Sequence, residues 1–331
     1  MPDQLLYAGE VMINGLMAGV LYALVALGFV LIFKASGIFN YAQGVMALFA
    51  AMTLVGIMEG AVPFAHAINA TFGTEVHHFG WEVPALAAIA LTTAVMVLFA
   101  WAVNRYVLRH LVGQEPIILF MATIGLAYFL EGVGDLMWGS DIKTLDVGIP
   151  QGGSFFIEDL TAGLGSDAFF GFFIDRLDIV AAAVAVVLVA GLVAFSQYTK
   201  QGRALRAVAD DHQAALSVGI SLNFIWWLVW SLAGFVALVA GIMWGAKSGV
   251  QFSLSLIALK ALPVLMLGGF TSIPGAIVGG LIIGVGEKLF EFWVGPLIGG
   301  ATENWFAYML ALVFLVFRPQ GLFGERIIER V

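Results

Sequence analysis

No cysteine occurs among the 331 residues, which excludes disulfides, thiolate metal sites and cysteine nucleophiles. Charge is almost as scarce, with Asp, Glu, Lys and Arg making up 11% of the chain against 61% hydrophobic residues. A mean hydropathy of +1.00 is too high for a water-soluble globule and belongs to a bilayer. The formal net charge of −8 argues against nucleic acid as a partner. No G-x-x-x-x-G-K-[ST] phosphate loop is present, so this chain binds no ATP of its own, and no G-x-S-x-G nucleophile elbow supplies a hydrolase. No catalytic set is recognisable and no cofactor is expected on the chain. His66, His77 and His78 sit near Glu75 and Glu82 without an i, i+4 histidine pair, so they read as surface polar residues and no metal site is assigned.

What is abundant is uninterrupted apolar sequence. Taking about 20 apolar residues per crossing, spans fall at 11–33, 39–58, 83–104, 116–138, 179–199, 224–246, 256–270, 274–290 and 305–317. The seventh and ninth are short, so the fold class is an all-α polytopic membrane protein of eight to ten transmembrane helices with broken or re-entrant segments. Residues 1–331 read as a single transmembrane domain. The first ten residues carry Asp3 and Glu10 but no Lys or Arg, so the run after them is a span and not a signal core.

Basic residues orient the spans. With the N-terminus outside and strict alternation, the inner segments hold Lys34, Arg105, Arg109, Lys200, Arg203, Arg206, Arg318, Arg326 and Arg330, while the outer ones hold Lys143, Arg176 and Lys247. That asymmetry follows the positive-inside rule and puts the C-terminus in the cytoplasm. Two acidic outer loops, 59–82 and 139–178, have room for short helices or strands. They serve either as a solvated cap or as a face for a basic extracytoplasmic partner.

The one long polar run between apolar blocks is QYTKQGRALRAVADDHQAALSVGIS, residues 197–221. Its alanines predict one helix over Ala204–Val218, with Gly219 as a left-handed stop. Small residues at Ala207, Ala214 and Ala215 would let that helix lie in a partner's groove, with Arg203, Arg206, Asp210 and Asp211 fixing its register. The plain alternative is a solvated linker.

Two Gly-rich interruptions stand at membrane depth, around Asn40 and Gln43 and again around Ser272. Gly, Pro and side-chain amides or hydroxyls there predict broken helices facing a cavity. Asn40, Gln43 and Ser272 are therefore candidates for a solute path, although Asn40 is equally placed to cap the second helix. Charges inside spans also need an explanation. Lys260 and Glu287 read as an intramembrane pair, whereas Glu131 and Lys288 lie near span ends and can snorkel.

Four stretches in order carry a family resemblance: GLMAGVLYALVALGFVLIF with GIFNYAQG, GRALRAVADDHQAALSVGIS, LKALPVLMLGGFTSIPGAIVGGLIIGVGE and FRPQGLFG. Together they resemble the LivH-type permease subunits of branched-chain amino acid ABC importers. In the third stretch Lys260, Gly268, Gly269, Ser272, Gly275, Ala276, Gly279, Gly280 and Glu287 stand where the family motif has them. The resemblance implies that the polar run is the coupling segment for an ATPase. It further implies a LivM-type permease or a second copy of the chain, two cytoplasmic ATP-binding subunits that carry ATP and Mg, a periplasmic solute-binding protein, and a bacterial inner-membrane location. One departure bears on the solute: many family members read Ala-His-Gly-Glu after the asparagine turn, where this chain has Ala42-Gln43-Gly44-Val45. Urea, amides and other small organic solutes are transported within the family, alongside branched-chain amino acids. A stand-alone secondary transporter or channel for a small polar solute is the alternative, since broken helices suit that class too.

Overall fold

A computed structural model describes residues 2–75, 77–111, 113–150 and 175–324. In chain order the helices are α1 (Pro2–Ser36), α2 (Gln43–Met58), α3 (Ala65–Phe72), α4 (Ala85–Tyr106), α5 (Pro116–Trp138), α6 (Arg176–Tyr198), α7 (Lys200–Asp210), α8 (His212–Ser217), α9 (Leu222–Ser248), α10 (Ile257–Gly268), α11 (Ile273–Trp293), α12 (Gly295–Ile298) and α13 (Glu303–Phe317). Among the described residues six helices are long and apolar enough to cross a membrane, and α2, the 252–268 segment and α13 are shorter apolar helices. Each expected span therefore coincides with a helix. The first inter-span loop carries α3 and a bridge between Ala61 and His78. Residues 151–174 of the second loop lie outside the described residues, as do Arg326 and Arg330.

The chain groups into two compact units, Met1–Ala26 with Ile149–Val189 and Leu259–Val331, and Leu27–Gly148 with Ala190–Ala258. In the second of these, α2 is the central helix. Every residue from Gln43 to Gly56 is buried, and α2 packs against α4, α5 and α9. Its 16 residues span about 24 Å, less than the hydrocarbon core of about 30 Å. It needs no lipid-facing stripe, because its neighbours cover it on all sides. Thr53 on α2 accepts from Trp138 Nε1 at 3.2 Å, and Gly56 lies directly under the same indole.

In the other unit, α1 and α11 meet through glycine. A methyl group at Gly15 would lie 2.7 Å from Val285 Cα, and one at Gly19 would strike the Gly280 carbonyl. Gly280 and Gly284 in turn face Gly19 and Gly15. Lipid tails are as apolar as leucine, so close backbone approach and dispersion hold such a pair together where water exclusion cannot. On another side of α11, Phe290 stacks on Phe306 of α13 with centroids 4.5 Å apart.

Valine at Gly284 is expected to destabilise the folded protein by roughly 3 kcal/mol, because backbone and not a movable side chain occupies the space. Valine at Gly191, where a side chain meets nothing within 4 Å, should change stability little. Thermal unfolding of the two variants in one detergent checks both; equal midpoints would remove the close α1–α11 contact from the account of this fold.

Candidate functional site

The polar run after α6 forms two helices, not the single one expected over Ala204–Val218. Thr199 caps α7 by accepting from Gly202 N at 2.9 Å. Asp211 then turns extended, with φ −157 and ψ 114, and its carboxylate accepts from Gln213 N and Ala214 N at 2.7 and 3.0 Å. A side chain that captures two amide donors of the next turn starts a new helix there. Gly219 does take the left-handed conformation, φ +84. Ile220 N bonds Ala215 O and Gly219 N bonds Leu216 O, the paired pattern that closes a helix end.

Burial sorts the residues of this arm. Gly202, Leu205 and Val208 form the inward face of α7, and Ala215 of α8 is buried too at 2% exposure. Ala215 is thus a packing residue, not one offered to a partner. Arg203, Asp210, Ala214 and Gly219 are exposed, while Arg206 and Ala207 are half-buried. Sequence reasoning missed Leu216 and Val218, which are 53% and 74% exposed. Their signal was two large apolar residues flanking Ser217, out of step with the buried Leu205, Val208 and Ala215.

At the first break, α1 ends at Ser36 and α2 starts at Gln43, later than the expected span at residue 39. Asn40 and Gln43 are 0% and 1% exposed. Asn40 Oδ1 accepts from Ala42 N at 3.2 Å, closing a turn before the helix rather than capping its first residue. Asn40 Nδ2 donates to Gln43 Oε1, and Gln43 Nε2 donates to the Ala233 carbonyl of α9, both at 3.3 Å. Thr123 of α5 accepts from Tyr41 N and donates to Phe39 O. In this conformation both amides serve the break itself.

At the second break, Ser272 caps α11 by accepting from Gly275 N at 3.0 Å, and Gly269 has φ +103. The carbonyls that end α10 find donors in the chain tail, where Leu322 N bonds Leu267 O at 2.8 Å and Phe323 N bonds Gly268 O at 3.1 Å. Backbone lies so close that Gly321 and Gly324 have no room for side chains against Gly269 and Gln320 respectively. The FRPQGLFG tail is thus the partner of the second break.

Lys260 and Glu287 do pair, at 2.6 Å. Tyr22 completes a trio, donating to Glu287 Oε1 at 3.4 Å and accepting from Lys260 Nζ at 3.3 Å. Glu287 is 1% exposed, and its Oε2 has no partner among the described residues. Lys288 also finds an ion partner, Glu303 at 2.7 Å, where snorkelling alone was expected. A tyrosine in the first span carries no charge that would join it to this pair in advance.

Apolar helices of membrane-crossing length, helix breaks between apolar segments and a buried ion pair describe a polytopic all-α membrane protein. Residues 11–318 match the family described as branched-chain amino acid transport system / permease component. The chain belongs to that family. It is 29% identical over 329 residues to the high-affinity branched-chain amino acid transport system permease protein BraD of Pseudomonas aeruginosa, across 97% of both chains. It is 28% identical over 336 residues to the permease protein LivH of Escherichia coli, across 100% of both. Among solved structures, PsaBC from Streptococcus pneumoniae in complex with Fab aligns over 94% of this chain and 92% of that one, at 13% identity and a TM-score of 0.43; this likeness is too slight to support an argument.

Two predictions follow the geometry. Replacing Lys260 alone by Met leaves a buried carboxylate uncompensated and should cost about 3–5 kcal/mol, whereas Lys260→Met with Glu287→Leu should recover most of it. Denaturation of both variants in micelles separates the outcomes, and equal losses would mean the charges are not coupled. For the arm, the two amide donors hold the Asp211 carboxyl below the ordinary carboxylate range. A depressed pKa contributes stability above the unfolded value, near pH 4, that is lost as pH falls through the lower folded value. Amide hydrogen exchange in 212–217, corrected for intrinsic rate, should therefore rise below pH 4 in the native chain. Asp211→Asn should flatten that pH dependence, and Asp211→Ala should leave the segment unprotected at every pH.

Proposed function

We propose that this chain is one membrane half of an ABC importer that moves branched-chain amino acids, or a related small organic solute, across the bacterial inner membrane. Its partners in this reading are a LivM-type permease or a second copy of itself, two cytoplasmic ATP-binding subunits and a periplasmic solute-binding protein. The N-terminus lies outside and the α7–α8 arm in the cytoplasm. Full-length likeness to BraD and LivH supports the solute class.

The observation that carries the reading is the arm itself. Its helices are capped by side chains of Thr199 and Asp211, and it presents Leu216 and Val218 to solvent beside exposed Arg203 and Asp210. A solvated linker has no need for two apolar side chains held outward on a capped turn. An arm that must transmit force needs both rigidity and an apolar contact. Closure of the ATPases then pushes on the arm and biases the permease pair between inward- and outward-open states. Arg203, Arg206, Ala207, Asp210 and Ala214 surround that contact and set its register. Asn40, Gln43 and Ser272 act on the solute path by holding the two helix breaks open to rearrangement.

Replacing Leu216 and Val218 together by Asp should release the ATPase subunits on purification and reduce uptake at least tenfold, with the permease still folded. Normal co-purification and uptake would reduce the arm to a linker. Orientation is tested separately in this cysteine-free chain. Cysteine at Asp146 should react with an impermeant reagent from the periplasmic side, and cysteine at Ser217 only after the cytoplasm is opened.

A further inference from the structure

Between α4 and α5 runs an open groove of about 530 Å³. Phe99, Ala102 and Tyr106 of α4 wall it on one side, and Ala122, Gly125 and Phe129 of α5 on the other. No charged side chain enters it. The groove occupies only the end of the helix pair nearest the 107–115 connection.

Three features of that end bear on its occupant. Tyr106, which lines the groove, and Trp101 stand exposed, edge to face with centroids 6.1 Å apart, and amphipathic rings of this kind settle at headgroup level. In the same stretch Arg105 and Arg109 are exposed, and neither is ion-paired among the described residues. Glu115, which precedes α5, is the one acid in residues 105–115, against the two arginines. An apolar slot with an aromatic residue in its wall, and two exposed arginines beside that wall in the chain, has the order of a phospholipid from tail to head.

The shape argues against a helix from another subunit. A helix with its side chains is about 10–12 Å across, and tight helix pairs in a bilayer need small residues along the whole seam. Here Phe99, Tyr106 and Phe129 wall the slot, and only its floor is small. A thin, flexible chain fits such a slot.

We propose that the α4–α5 groove is a binding site for one phospholipid with an anionic headgroup. An acyl chain occupies the slot, and the phosphate region is held by Arg105 and Arg109. The site is independent of the solute and of the orientation of the chain.

The test uses the full chain, co-expressed with its partner subunits, in nanodiscs containing phosphatidylglycerol or phosphatidylcholine whose acyl chains carry a photoreactive diazirine. Labelled peptides are mapped by mass spectrometry. The phosphatidylglycerol probe should label 99–106 and 122–129 roughly fivefold more than the phosphatidylcholine probe, in keeping with two arginines near an anionic surface. Arg105→Gln with Arg109→Gln should abolish the preference while leaving some labelling. Gly125→Leu should abolish labelling by both probes; a Cβ at Gly125 meets nothing within 4 Å, and an unchanged unfolding midpoint of that variant checks that the fold is kept. Equal labelling by the two probes in the native chain would overturn the proposal. So would the absence of labelling from both, and a cysteine at Gly125 that cross-links to another subunit would then identify the groove as a protein interface.

Discussion

A helix that stops inside a bilayer leaves amide and carbonyl groups with no water to meet them, and the satisfaction of those groups is the constraint on which this structure turns. The chain breaks twice between apolar helices and resolves each stop differently. After α1, side chains do the work: Asn40, Gln43 and Thr123 take up backbone groups and one another. After α10, the backbone does it, because the tail delivers Leu322 N and Phe323 N to the last carbonyls. The second solution requires strand-like approach of three short segments. That is why glycine recurs at 268, 269, 321 and 324 within a few residues of each contact.

Small residues have the same purpose on a larger scale. Where α1 meets α11, and where Gly241 of α9 lies on the Ala47 carbonyl of α2, the contact is backbone against backbone. Such seams hold by close packing and tolerate no added methyl group. Each also carries a side-chain hydrogen bond, Tyr22 to Glu287 across α1 and α11 and Gln43 to the Ala233 carbonyl across α2 and α9. The Tyr22–Lys260–Glu287 trio stands apart. It buries charge at considerable desolvation cost, which its ion pair and hydroxyl contacts offset in part.

The arm between α6 and α9 obeys rules for water, not lipid. Its helices are too short to be stable alone, so they borrow stability from the Thr199 and Asp211 caps and from the inward face of Gly202, Leu205 and Val208. What remains outside is a small apolar knob bordered by charge. In the proposed docking role, rigidity under the knob counts as much as its hydrophobicity.

Much of this was readable in advance. Apolar runs located every long apolar helix among the described residues, because a bilayer imposes length and composition on anything that crosses it. The breaks were visible as Gly, Pro and amide clusters, and Lys260 with Glu287 as charges too expensive to stand alone. Gly219 announced the end of the arm. Other features depended on distance along the chain being cancelled by folding. Asp211 looked like one of two interchangeable acids until its backbone turned extended and spent the carboxylate on capping. Ala215 matched Ala214 in sequence but is buried, whereas Leu216 and Val218 are turned outward. Tyr22 joins an ion pair more than two hundred residues away, and the tail reaches the second break across more than fifty. The sequence determined which segments enter the membrane, because hydropathy is a local property. Tertiary structure alone decided which polar groups meet, because each must find its partner from whatever the packing of the helices brings near.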